Sequence, residues 1–142
     1  MTGTFLDTNV LVYVFDDDAP AKQRRAKGIL AGHDLGDLTL STQILGEFYV
    51  AVTRKLSRPL DPHAAYEAVQ WLSGLHVVPI DVELTHSAAR TSRVAQISYW
   101  DGLVLSAAAR GGCERVLTED LNDGQRFGSV RVENPFAGHD RQ

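Results

Sequence analysis

The first fifteen residues set the constraint that the rest of the chain must satisfy. Thr4-Phe5-Leu6 reads as a short apolar strand ending in the carboxylate of Asp7. Thr8-Asn9 then offers a polar pair able to cap a helix, and Val10-Leu11-Val12-Tyr13-Val14-Phe15 is an apolar run. Other acids that could act together with Asp7 lie far away in sequence, so the fold would have to gather them.

The remaining chain repeats the alternation of strand and helix. Residues 9–15 form a short helix capped by Thr8 or Asn9, and Asp18-Ala19-Pro20 starts a second helix with proline near its first turn. That helix turns Ala26, Ile29 and Leu30 inward and leaves Lys22, Arg24, Arg25 and Lys27 on a solvated face or a phosphate-facing rim. Residues 37–41 are a second strand. The helix after it, beginning near Thr42, places Ile44, Leu45, Phe48, Val52 and Leu56 at helical spacing over the sheet. Asp61-Pro62 opens the next helix, with Ala65, Val69 and Leu72 on one face.

Residues 76–80 are a third strand, whose proline marks a strand end or an edge position. Asp81 caps a helix with Leu84, Ala88, Thr91 and Ala95 inside, and Ser98 starts a helix that is apolar nearly all round. Residues 115–118 are a fourth strand and 129–132 a short fifth. This order predicts a three-layer α/β/α sandwich with a mainly parallel central sheet of about five strands. In such sheets ligands bind outside the carboxyl ends of the strands, where strand order reverses.

With 142 residues the chain fits one domain over 1–142, with 136–142 expected to be a loose tail. No apolar run approaches the roughly 20 residues that span a bilayer, so a cytoplasmic location without membrane contact is expected. Cys113 is the only cysteine, which excludes an intrachain disulfide and a cysteine-cluster zinc site. A net charge of −4 argues against a nucleic-acid partner unless several acids sit together under bound cations; setting four aside gives −4 + 4 = 0.

Four acids stand out by position. Asp7 and Asp120 each follow a strand, and parallel neighbouring strands would bring them to one sheet edge. They could equally be turn residues. Glu47 lies in the helix after the second strand, and Gln43, Ile44, Val50 and Ala51 at contact spacing offer it no basic partner. Asp101 fits the first turn of a helix begun by Ser98, where an acid suits the helix dipole. Gly102 beside it would admit close approach of a metal or phosphate. Converging carboxylates repel and raise one another's pKa, and hard divalent cations with oxygen ligands relieve that repulsion. One or two such ions would activate water against a phosphodiester and stabilise the leaving oxygen.

Leu6-Asp7-Thr8-Asn9-Val10-Leu11, Glu47 within a helix, Ser98-Tyr99-Trp100-Asp101-Gly102 before an alanine-rich helix, and Leu117-Thr118-Glu119-Asp120-Leu121 before Gly124 resemble, in order, the PIN-domain ribonucleases, in particular VapC-type toxins. The resemblance implies that Asp7, Glu47, Asp101 and Asp120 bind Mg²⁺ or Mn²⁺ and are the catalytic acids. It adds Asp123 as an auxiliary ligand, although Asn122-Asp123-Gly124 is also a turn signature. Asn9 and Thr118 would orient carboxylates through hydrogen bonds. Cleavage of RNA, a homodimer and a cognate antitoxin inserting at the acidic site are implied in the same way. Arg54, Lys55 and Arg58 are the first candidates for RNA phosphates, against the plainer reading of a solvated helix end.

Trp71 and Trp100 are expected to pack in the core or a dimer rather than stack bases, and the five histidines show no ligand spacing. Two other classes compete. A haloacid dehalogenase-type phosphohydrolase also begins with an Asp after the first strand, yet needs a second Asp two positions later, where this chain has Asn9. A non-catalytic RNA- or protein-binding module would have no need of four clustered acids.

Overall fold

The structure, a computed structural model, describes residues 3–32 and 34–138. Strands β1 (Gly3–Leu6), β2 (Leu38–Ser41), β3 (His76–Val78), β4 (Cys113–Leu117), β5 (Arg126–Phe127) and β6 (Val130–Glu133) form one sheet in the order β3-β2-β1-β4-β6-β5. Every pairing is parallel except β5 with β6. Helices α1 (Thr8–Tyr13), α2 (Pro20–Gly32), α3 (Thr42–Arg54), α4 (Pro62–Leu72), α5 (Val82–Ala95) and α6 (Tyr99–Arg110) flank it as a three-layer α/β/α sandwich. The chain leaves β1 toward β2 and returns on the other side at β4, so the order reverses between β1 and β4. That crevice is where open α/β sheets bind ligands.

Local chemistry starts most of these helices. Asp61, Asp81 and Ser98 accept from the backbone N–H groups of Ala64 (3.0 Å), Leu84 (2.9 Å) and Asp101 (3.0 Å), and Ser41 accepts from Ile44 (3.4 Å). Each such cap typically contributes about 1 kcal/mol. The cap of α1 differs from the expectation: it is Asp7 itself, whose Oδ1 accepts from Thr8 N at 2.8 Å, and not Thr8 or Asn9. Ile44, Phe48 and Val52 of α3 are fully buried, while Leu45 and Leu56 are only partly so.

Helix α6 is buried along 102–108 and packs against α5, β2 and β4. Gly102 has a packing role there: a Cβ on it would stand 2.6 Å from the Ala88 carbonyl oxygen. It admits α5, not the metal or phosphate expected of it.

Three further expectations change. The strand expected fifth is β6, because the two-residue β5 precedes it in a hairpin turning at Gly128 (φ +61°); two residues are too few to show alternation. Trp71 and Trp100 are 51% and 60% exposed, so neither is a core residue. Of the expected tail over 136–142, Phe136 is buried against Tyr13, and residues 139–142, with His139, lie outside the described residues. Among the described residues no helix is long and apolar enough to cross a membrane.

Candidate functional site

Register brings the first two acids to one edge. Leu6 pairs with Leu117, and Asp7 N donates to the Leu117 carbonyl at 3.1 Å, so the residues after β1 and β4 emerge side by side. The Thr118 hydroxyl donates to Asp7 Oδ2 at 2.7 Å and accepts from Asn9 Nδ2 (3.2 Å) and Asp120 N (3.1 Å). Its single proton and both lone pairs are thereby used. Asn9 Nδ2 also reaches Asp120 Oδ2 at 3.2 Å, which fixes the amide orientation, because only a donor can face a carboxylate.

Glu47 reaches the same edge from α3. Thr8 Oγ1 donates to its Oε1 at 2.8 Å and Gln43 Nε2 to its Oε2 at 3.1 Å, so both partners are neutral. Helical spacing offers Gln43 only as a non-basic neighbour of Glu47, and no local signal in the sequence points to Thr8. Thr8 is near Asp7 in the chain but 39 residues from Glu47. Asp101 stands in the first turn of α6 behind the Ser98 cap.

Asp7 and Asp101 stand where ionisation is disfavoured. Burial pushes the Asp7 carboxyl up to about 6; the charges of Asp120 and Glu47 add to this, and the Thr118 and Thr8 hydrogen bonds oppose it. Asp101 is likewise raised, first by burial, with Asp120 and Glu47 contributing, while Ser98 opposes. Among the described residues none of the four forms a salt bridge. Two amide oxygens beside them, Asn9 Oδ1 and Gln43 Oε1, are buried with no hydrogen-bond partner among the described residues.

These features suit a hydrated hard cation. The donors are all oxygens, a positive charge would relieve the repulsion, and coordinated water could donate to the two orphaned oxygens. The acids do not form a closed cage, since among the described residues no three His, Cys, Asp or Glu side chains group tightly enough to hold one ion. Mg²⁺ tolerates this, because it is commonly held by one or two carboxylates and keeps several waters.

Other expected site residues separate. Asp123 Oδ1 accepts from Asn134 N at 2.9 Å and faces a different cleft, with Arg25, Arg115 and Arg131. Lys55 shares a cleft of about 790 Å³ with Thr8, Asn9, Glu47 and Asp120, whereas Arg54 and Arg58 are exposed outside that lining. Of the α2 bases, Lys22 and Arg25 are engaged, with Glu119 and with the Pro135 carbonyl, while Arg24 and Lys27 are exposed.

The family model described as PIN domain matches residues 4–126. Among curated proteins none matches the sequence. Solved structures similar to the chain include a toxin–antitoxin complex from Klebsiella pneumoniae, 18% identical, covering 94% of this chain and 98% of that one with a TM-score of 0.70. FitAB bound to an IR36 DNA fragment is 24% identical over 94% of this chain and 95% of that one, with a TM-score of 0.71. The sarcin–ricin loop cleaving toxin VapC20 of Mycobacterium tuberculosis is 19% identical over 83% and 92%, with a TM-score of 0.64. Identities this low establish a shared fold.

Proposed function

The chain belongs to the PIN-domain family, and on that premise we propose that it is a metal-dependent endoribonuclease acting as the VapC-type toxin of a toxin–antitoxin pair. The observation that carries the reading is the cluster itself. Asp7, Glu47, Asp101 and Asp120 come from four separate segments, and the charges of Glu47 and Asp120 act on both Asp7 and Asp101. Asp7 is buried, two polar oxygens are orphaned, and among the described residues no basic side chain pairs with any of the acids. A fold keeps so costly an arrangement where a cation offsets it.

Asp7, Glu47, Asp101 and Asp120 would hold Mg²⁺ or Mn²⁺, one ion or two. When bound, such an ion lowers the pKa of water and neutralises charge developing on a phosphodiester. The protein's part is to fix the carboxylates in advance. Thr118 directs Asp7, Asn9 directs Asp120, and Thr8 with Gln43 directs Glu47. Lys55, which lines the cleft with Glu47 and Asp120, would take an RNA phosphate, and the exposed Arg54 and Arg58 would add to the attraction from outside that lining. Two similar structures, a toxin–antitoxin complex and a sarcin–ricin loop cleaving toxin, support the toxin role and an antitoxin partner. A homodimer, and an antitoxin Arg or Lys that meets the acids by charge complementarity, belong to the same proposal.

One observation favours a second reading, a non-catalytic RNA- or protein-binding module: among the described residues no three acids close on an ion. Purified protein incubated with structured RNA decides between them. Cleavage requiring Mg²⁺ or Mn²⁺, stopped by a chelator and lost in Asp7→Asn or Asp101→Asn, supports the nuclease. RNA binding that survives chelation without cleavage products at any metal concentration supports the module.

A further inference from the structure

Beside the acids lies a cluster for which the nuclease reading has no use. Tyr13 closes α1, Lys22 sits in the first turn of α2, and Glu119 immediately precedes Asp120. Tyr13 Oη donates to Glu119 Oε1 at 2.7 Å, and Lys22 Nζ donates to Glu119 Oε2 at 3.0 Å and to Tyr13 Oη at 3.2 Å. Three side chains from three segments thus close a ring. The Lys22 and Glu119 side chains are only 21% and 23% exposed. Lys22 Nζ stands 5.0 Å from the Tyr13 ring centroid and 6.0 Å from that of Phe136, and the two rings meet edge to face at 4.9 Å. An exposed ion pair contributes little, but one covered by rings and tied by a phenol holds a single geometry.

Position makes this consequential. Asp120 is exposed, and its own anchors are two long hydrogen bonds, from Asn9 to its carboxylate (3.2 Å) and from its N–H to Thr118 (3.1 Å). Thr118 is tied to β6 through the Glu133 carbonyl and to Asp7 through its hydroxyl. Glu119 is the remaining residue of the segment, and its side chain is held from the opposite direction by α1 and α2. Lys22 also offsets the Glu119 charge, so a fifth carboxylate next to the four adds no net repulsion.

We propose that Tyr13, Lys22 and Glu119 are positioning residues that clamp the segment after β4 and thereby set where the Asp120 carboxylate stands. The proposal rests on the metal-site reading above. Two variants test it without changing net charge: Tyr13→Phe, which deletes one oxygen, and the double substitution Lys22→Met with Glu119→Gln. Both are compared with wild type by Mn²⁺ titration followed by electron paramagnetic resonance, and by hydrogen exchange of the 118–121 amides without metal.

The expected result is faster exchange in that segment, Mn²⁺ affinity lowered by about tenfold, the low end of what loss of an orienting partner costs, and a higher Mn²⁺ requirement for cleavage, with most of the rate restored at saturation. Variants that lose thermal stability yet keep wild-type exchange and Mn²⁺ affinity would overturn it and leave the cluster a fold staple. If wild type itself takes up no Mn²⁺, the metal reading falls and hydrogen exchange alone decides the clamp. If the double variant does not fold, Tyr13→Phe carries the test.

Discussion

Helix α6 crosses between two regimes within two residues. From Gly102 to Ala108 it is buried, and its glycine lets the Ala88 carbonyl of α5 come closer than any side chain would allow. One residue earlier, burial pushes the Asp101 carboxyl up, and the charges of Asp120 and Glu47 add to this. The first region gains stability from every atom it buries. The second loses stability, because Asp7 is 6% exposed and among the described residues has no cationic partner, only the donors Thr8 N and Thr118 Oγ1 to its carboxylate. Burial in the α5–α6 layer thus stabilises the fold while the acids at the sheet edge cost it stability, as expected where preorganisation serves a ligand.

The largest test of that contrast is Asp7→Asn. Its metal-dependent cleavage should fall by more than about 100-fold, beyond the usual cost of losing an orienting partner, while the protein stays folded. A folded Asp7→Asn protein that still cleaves RNA would remove the proposed mechanism.

The next effect concerns pH. The folded-state carboxyl of Asp7 titrates near 6 instead of at its ordinary 3.8. Its contribution to stability is full below about 4 and is lost as pH rises through about 6, because the folded state then carries a poorly solvated charge. Denaturant titrations without divalent metal should show a decline of up to about 3 kcal/mol across that window. Asp7→Asn should be flatter there, and equal slopes in the two proteins would show that burial of this charge is not costly.

Metal should reverse the sign. Mn²⁺ at 100 times its dissociation constant should stabilise wild type at neutral pH by about 2.7 kcal/mol. Calorimetry of Asp7→Asn in the same buffer should show little of this gain.

The smallest expected change lies in the other region. Gly102→Ala puts a methyl against the Ala88 carbonyl and should destabilise the fold by about 1–3 kcal/mol at any pH. An unchanged urea midpoint would mean that α5 moves aside freely. A pH-dependent loss would mean that the two regions are coupled through Asp101.

Readable features were those whose causes are local. Asp61, Asp81 and Ser98 announce helix starts because a cap bonds to residues two or three positions on. The inward face of α3 announces itself through helical spacing. The cap of α1 was ambiguous because Asp7, Thr8 and Asn9 are all capping types. Parallel pairing of β1 with β4 frees Thr8 for Glu47 and turns Asn9 toward Thr118 and Asp120, leaving Asp7 as the cap.

Strand, acid and helix order thus followed from residue types and their period, which act over a few positions. Which atoms meet did not. Lys22 looked like part of a solvated face because Glu119 is 97 residues away. Gly102 looked like an opening for a ligand because nothing near it in the chain reveals the Ala88 carbonyl. Asp7 could have been a turn residue until the crossover between β1 and β4 set Thr118 against it. Long-range register converts a list of acids into a shared site, since a carboxylate's energy depends on what stands within a few ångströms and not on what precedes it in the chain.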